Sequence, residues 1–141
     1  MWEENPCGMM IRQIHLLLAK MTNNALRQHD LTMSQMMTLL ILSKQEGGEL
    51  TLKQLEPFLQ TSQPDVAGIA SRLEKKGLVD GFADAQDKRM KRIRITAAGL
   101  EYCQQAKGDM ITTEQTLLSQ MTPDEREIFR TLLEKAITGL Q

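Results

Sequence analysis

From Met9 to about Arg27, apolar residues recur at Ile11, Ile14, Leu18, Met21 and Ala25, the three-and-four spacing of a helix with one apolar face. Met10 and Leu17 widen that face beyond what a single core contact needs. A second helix is predicted where Thr32 and Gln35, three residues apart, form a capping box ahead of the run "MMTLLIL". That run ends near Ser43, before a turn at Gly47 and Gly48. In "ELTLKQLEPFL" a short extended start leads to Thr51, which caps a third helix with Gln54 and is expected to be closed by Pro57. "TSQPDVAGIASRLEKKG" is a fourth helix, with Ser62 as its cap, Asp65 three residues later and Gly77 as its stop. Three helices in tandem, the last two joined by a tight turn, make a helix-turn-helix pattern.

The period then changes from 3.6 to 2. "LVDGF" and "RIRIT" alternate, with Ile93 and Ile95 on one face and Arg92 and Arg94 on the other. The polar stretch "ADAQDKRMK" between them makes the pair a β-hairpin, a wing placed directly after the helix-turn-helix. "TAAGLEYCQQAKGDMITTEQTLLSQM" reads as a long helix. The final helix, "TPDEREIFRTLLEKAITGL", has Thr122 as cap, Pro123 at the first helical position and Glu125 completing the box. The predicted fold is mainly α with a small β-hairpin wing: one domain over 1–141, its winged helix-turn-helix at 32–96 and a helical dimerisation part at 1–30 and 97–141.

Composition narrows the function. With 41% hydrophobic and 25% charged residues the chain has the make-up of a soluble globular protein, and no apolar run reaches the roughly 18 residues of a membrane span. The N-terminus starts acidic, without the basic region of an export signal, and Cys7 and Cys103 form no CxxC pair, so a cytoplasmic protein is expected. The net charge is only −1, yet residues 71–95 sum to +4 and five of the seven residues from Lys88 to Arg94 are basic. So local a positive potential is either the footprint of a surface for a polyanion or simply a solvated strand. No nucleophile-base-acid set and no phosphate loop occur, which leaves catalysis without a carrier. His15 and His29 have no Cys or acid at metal-ligand spacing, so neither a metal nor a cofactor is expected.

The order of elements, together with "SRLEKKGLV" (71–79), "DKRMKRIRITAAG" (87–99), "LTMSQ" and "MTPDERE", resembles the MarR family of bacterial transcription regulators over nearly the whole chain. In "DKRMKRIRITAAG" the spacing of Asp, Arg, Thr and Gly fits that family's wing. The resemblance implies a homodimer that binds an inverted-repeat operator in double-stranded DNA, a repressor released by a small amphipathic or aromatic effector. It also implies that Arg89 inserts into the minor groove while Asp87 pairs with it, or with a nearby arginine, to hold the tip.

Within that reading the fourth helix enters the major groove. Val66, Ile69 and Leu73 face the core, leaving Ser62, Gln63, Pro64, Asp65, Ala67, Gly68, Ser71 and Arg72 outward. Gln63 suits adenine, and Arg72 suits guanine or phosphate. Gly68 permits close approach of the backbone, Pro64 stiffens the first turn, and Asp65 either caps the helix or accepts from a cytosine. Lys88, Lys91, Arg92 and Arg94 are candidate phosphate contacts, or, for the last two, charges that keep an exposed strand soluble.

Effector recognition falls to Arg12 and His15, the polar residues of the first helix best placed at a cleft beside the winged part, with the methionines of 33–37 as adaptable flanks or as plain core. His15 is expected near the inner face of its helix, buried or partly so. Cys7, ahead of the first helix and without tyrosine partners, suits no peroxide sensor. The rival to a DNA-binding regulator is a winged-helix module that only docks proteins; such a module has no need of five basic residues in its wing.

Overall fold

The computed structural model describes residues 6–141, so the first five residues of the expected helical segment 1–30 lie outside the described residues. Helix α1 spans Pro6–Gln28 and begins ahead of the apolar pattern, with proline in the first turn, where its missing N–H costs nothing. Cys7 is therefore inside the first turn, exposed, rather than ahead of the helix. Only Leu26 of α1 is buried; Ile14, Leu18, Met21 and Ala25 are half-buried, and Met9, Met10, Ile11, Leu16 and Leu17 are exposed.

Helix α2, Met33–Ser43, opens on the expected box: the Gln35 amide donates to Thr32 Oγ1 at 3.2 Å and the Thr32 amide to Gln35 Oε1 at 3.3 Å. A 3-10 turn at Glu46–Gly48 leads into strand β1, Glu49–Thr51. Helix α3, Leu52–Leu59, repeats the box with Thr51 and Gln54. Pro57 does not close it. It lies within the last turn, and the helix stops instead at Gln60, which is left-handed at φ 51°. Losing one N–H donor does not end a short helix whose Leu55 is wholly buried in the core.

Helix α4, Gln63–Lys75, is followed by Gly77 at φ 73°, a conformation that stops a helix without cost only at glycine. Strands β2 (Val79–Ala83) and β3 (Lys91–Ile95) form the expected hairpin. The sheet has three strands, not two: the extended start before α3 pairs as β1, giving the order β1-β3-β2, all antiparallel. Leu39, Leu42, Leu55, Leu73 and Ile93 are wholly buried together, so helices α2, α3 and α4 and the inner face of the sheet share one core.

Helix α5, Ala97–Leu117, starts against that core, burying Gly99, Cys103 and Ala106. Burial pushes the Cys103 thiol up from its ordinary value. Thr96 organises the start: its Oγ1 accepts from the Gly99 amide at 3.2 Å and donates to the Gly77 carbonyl at 2.7 Å, while its own amide donates to the Leu78 carbonyl. A Cβ on Gly99 would lie 2.4 Å from that same Leu78 oxygen and 2.6 Å from Ile95 Cγ1. Glycine is required there by space rather than by φ.

The chain divides into two compact units, Met1–Asp109 and Met110–Gln141. The division falls inside α5, whose first half buries Gly99, Cys103 and Ala106. The second unit holds the end of α5 and helix α6, Pro123–Leu140, which opens on the Thr122–Glu125 box with Pro123 in the first turn. No residue of α6 is buried, and Met110, Ile111, Ile128, Leu132 and Ile137 are exposed.

Gly99→Ala should lower stability by about 1–3 kcal/mol, since the clash is with backbone that cannot yield. Gly108→Ala, in the same helix but with nothing within 4 Å of its Cβ, should instead stabilise by about 0.5–1 kcal/mol. Urea midpoints of the two variants check both signs.

Candidate nucleic-acid interface

Helix α4 presents a mixed outer surface. Val66, Ile69, Ala70 and Leu73 are buried, while Gln63, Pro64, Asp65, Ala67, Ser71 and Arg72 are exposed and Gly68 is half-buried. The first turn departs from expectation. Ser62 has the backbone of a cap, but its side chain bonds no amide; its Oγ donates to Asp65 Oδ2 at 2.9 Å, as does Thr61 Oγ1 at 2.9 Å. The Ser62 hydroxyl first, then that of Thr61, and then the positive charge of Arg72 hold the Asp65 carboxyl below its usual range. Asp65 is thus an ionised acceptor whose Oδ2 takes both hydroxyls.

Arg72 folds back along the helix. Its guanidinium lies 3.4 Å from where a Cβ of Gly68 would stand, so Gly68 gives the arginine room beside Asp65. A groove of about 440 Å³ opens here, between the first turn of α2 and α4, walled by Thr32, Ser34, Pro64, Gly68, Ile69 and Arg72.

The hairpin is ordered by acids at every basic position but one. At the tip, Asp87 takes Arg89 Nε at 3.1 Å and Nη2 at 3.3 Å, and also accepts the Arg89 amide. Asp84 closes the loop by accepting the amides of Gln86 and Asp87, and it receives Arg92 Nε at 2.6 Å. The same alternation that puts Arg92 and Arg94 outside places Lys91 on the inner face with Ile93. There Lys91 Nζ bonds Glu74 of α4 at 2.9 Å across Gly81, whose absent Cβ would stand 2.7 Å from the Glu74 carboxylate. Arg92 and Arg94 both reach Glu49 on β1, at 3.4 Å and 2.5 Å, and Arg94 also stacks on the Phe82 ring at 4.8 Å. Among the described residues only Lys88, of the five hairpin cations, has no ion-pair partner.

The family resemblance implied a pairing of Asp87 with Arg89 or a nearby arginine, and the partner is Arg89. The roles of Glu49, Glu74, Asp84 and Gly81 were not legible in the sequence. A third strand would have revealed Glu49, because β1 sets it directly opposite Arg94. Arg92, expected to face phosphate, has a side chain only 26% exposed and shared between two acids.

Arg12 and His15 are exposed on α1. His15 is not half-buried as expected: it stands one residue, about 100°, off the half-buried stripe through Ile14 and Leu18. Of the methionines expected to flank these two, Met36 belongs to the core while Met33 and Met37 are exposed. No group of three or more His, Cys, Asp or Glu that could hold a metal occurs among the described residues, and no helix among them is long and apolar enough to cross a membrane.

The Asp87 carboxyl is held below its usual value by Arg89, through side chain first and amide second. A depressed carboxyl stabilises the tip above the ordinary carboxylate pKa, about 3.9, and the contribution is lost as pH falls through the folded value. Arg89→Gln should therefore raise the Asp87 midpoint toward 3.9 in a carboxyl NMR titration. An unmoved midpoint would show that the guanidinium is not the cause.

The MarR family model matches residues 31–91. The HTH-type transcriptional regulator PapX of Escherichia coli is 30% identical over 101 residues, covering 72% of this chain and 62% of PapX. Among solved structures, MepR, a transcription regulator of the Staphylococcus aureus multidrug efflux pump MepA, superposes with a TM-score of 0.85 at 30% identity, covering 96% of this chain and 98% of MepR. The S. aureus MepR–DNA complex matches with a TM-score of 0.78 at 30% identity over 95% of this chain and 99% of that one. YusO of Bacillus subtilis shares the fold at 17% identity, with a TM-score of 0.86 over 96% of this chain and 94% of YusO.

Proposed function

Because the chain belongs to the MarR family, we propose that it is a homodimeric, sequence-specific DNA-binding regulator, a repressor in which α4 reads the major groove and the hairpin reaches an adjacent groove. The observation that carries this reading is the pairing of an exposed polar helix face with a rigid, cation-tipped hairpin braced to that helix by Glu74 and Lys91. Gln63, Gly68, Ser71 and Arg72 meet bases or phosphates in this reading, with Ser62, Pro64 and Asp65 shaping the first turn. Arg89 enters the minor groove and Lys88 takes a phosphate, while Asp87, Lys91 and Arg92 hold the hairpin in position. The MepR–DNA complex supports the DNA partner by analogy of fold and sequence.

The two-fold partner is a second copy of the chain. Exposed Met9, Met10, Leu16 and Leu17 on α1, and Ile128, Leu132 and Ile137 on α6, are more apolar surface than a monomer leaves in water. Segments 1–30 and 97–141 supply that surface in this reading, and residues 32–96 are the winged part. A small amphipathic or aromatic effector that releases DNA completes the reading, with Arg12 and His15 as its polar contacts. Both face solvent in the single chain, so the effector site requires the dimer to enclose them. Nothing in the site is arranged for catalysis, and the protein acts where DNA is, in the cytoplasm.

A docking module is disfavoured by one feature: an exposed arginine, 91% accessible, presented at a hairpin tip and oriented by an acid. Arg89→Ala should weaken operator binding sharply and leave circular dichroism native, and Arg72→Ala should cost about 1–3 kcal/mol if it pairs with a base. Unchanged affinity in Arg89→Ala would sink the wing assignment. A dimer also requires an inverted-repeat operator, with half-sites centred about one helical turn, near 10 base pairs, apart. Footprinting that finds one unsymmetrical half-site held by a monomer refutes it.

A further inference from the structure

The hairpin strand carries its arginines in an unexpected state. Arg94 stands in a cross-strand row between Glu49 of β1 and Asp80 of β2. Only one of those acids engages it: Arg94 Nε bonds Glu49 Oε2 at 2.7 Å, and Nη2 lies 2.5 Å from the same oxygen. Arg92 Nη1 takes the other oxygen of Glu49 at 3.4 Å while Nε is fixed to Asp84. Phe82 lies beneath the Arg94 guanidinium, 4.8 Å from ring centroid to carbon. One carboxylate, 22% exposed, thus bonds both outward guanidinium groups, with Arg94 engaged through Nε and Nη2 while its side chain remains 53% exposed.

That arrangement runs against simple affinity. A protein seeking the greatest attraction to DNA leaves its strand arginines free, because every phosphate neutralised releases counterions whatever the sequence. Here the same outer face gives up two such contacts, and the cations left forward are Lys88 and Arg89 at the tip.

We propose that Glu49 is a specificity-determining residue: by withholding Arg94 from phosphate, beside an Arg92 already held by Asp84, it limits sequence-independent binding and makes the hairpin meet DNA through its tip. The inference rests on the DNA-binding reading above and adds to it a residue that touches no DNA. Glu49 acts through the arginines, as a positioning residue.

The test is the salt dependence of binding to a random-sequence duplex. Each phosphate contact contributes about 0.9 to the slope of log affinity against log salt. Glu49→Gln releases Arg94, with Arg92 still held by Asp84, so the slope should steepen by about 0.9 for each hairpin bound. Random-duplex affinity should rise at low salt, and the ratio of operator to random-duplex affinity should fall. Asp80→Asn removes the same charge from the same row but no ion pair among the described residues, and its slope should match the parent. Arg94→Gln in the parent should also leave the slope unchanged, whereas Arg89→Gln should reduce it by about 0.9.

Equal steepening by Glu49→Gln and Asp80→Asn would reduce the effect to net charge and overturn the proposal. So would a parental slope that falls in Arg94→Gln, a measurement that decides the question even if Glu49→Gln fails to fold. A parent chain that binds no duplex at all overturns the DNA-binding reading and this inference together. Binding with an unaltered slope in Glu49→Gln overturns this inference alone.

Discussion

The winged part depends on one close approach of backbone to backbone, where Gly77 and Leu78 leave helix α4 and Thr96 to Gly99 begin α5. Four requirements meet there. Helix α4 must stop, which Gly77 does at positive φ; strand β2 must begin, and strand β3 must end beside it; and α5 must start without a buried orphan amide. Thr96 meets the last by accepting from the Gly99 amide while its own N–H and O–H satisfy the carbonyls of Leu78 and Gly77. The absent Cβ at Gly99 lets the helix come this near. Because α4, the hairpin and α5 all pivot on these few atoms, the exposed face of α4 and the hairpin tip are set by the same geometry, and neither reorients alone.

Electrostatics makes the second constraint. A cluster of cations on a short hairpin repels itself, and the chain answers with acids from three directions: Glu49 from β1, Glu74 from α4, and Asp84 and Asp87 from within the loop. Exposed ion pairs are individually weak, of the order of 0–1 kcal/mol, so they are poor sources of stability. Their value here is directional. Each fixes where a guanidinium or ammonium points, and the Glu74–Lys91 pair fixes the hairpin against the helix. The small net charge of the chain and its dense basic stretch are then two views of one arrangement, since much of the positive charge is neutralised in place.

Local rules made most of the elements legible. The boxes at Thr32, Thr51 and Thr122 follow from the reach of a threonine hydroxyl and of a Gln or Glu side chain over three residues, and all three are formed. The alternation of Ile93 and Ile95 likewise fixed the inner face of the hairpin. What failed depended on partners distant in sequence. The strand at Glu49–Thr51 is too short to declare itself without β3 beside it. Ser62 resembles a cap by position, yet its hydroxyl is turned to donate to Asp65 and accepts from no helix amide.

A further tie carries the end of α1 to the end of α4, and it explains why a left-handed, non-glycine residue is retained there. Asp30, at φ 54°, turns its carbonyl toward the Lys76 ammonium, which donates to it and also bonds Gln35 Oε1 at 3.2 Å. Asp30 contributes its carboxylate as well, at 3.8 Å. Beside it, His29 Nε2 lies 3.6 Å from Asp109 of α5 and meets the Tyr102 ring edge-on. Gln35 is the buried member of the α2 box, so one lysine joins the C-terminal ends of α1 and α4 to the first turn of α2. A left-handed conformation in a non-glycine residue costs of the order of 1 kcal/mol or more, and here it brings the Asp30 carbonyl within reach of a lysine that touches three helices. The end of α1 is thereby bonded directly to the helix whose outer face forms the candidate interface.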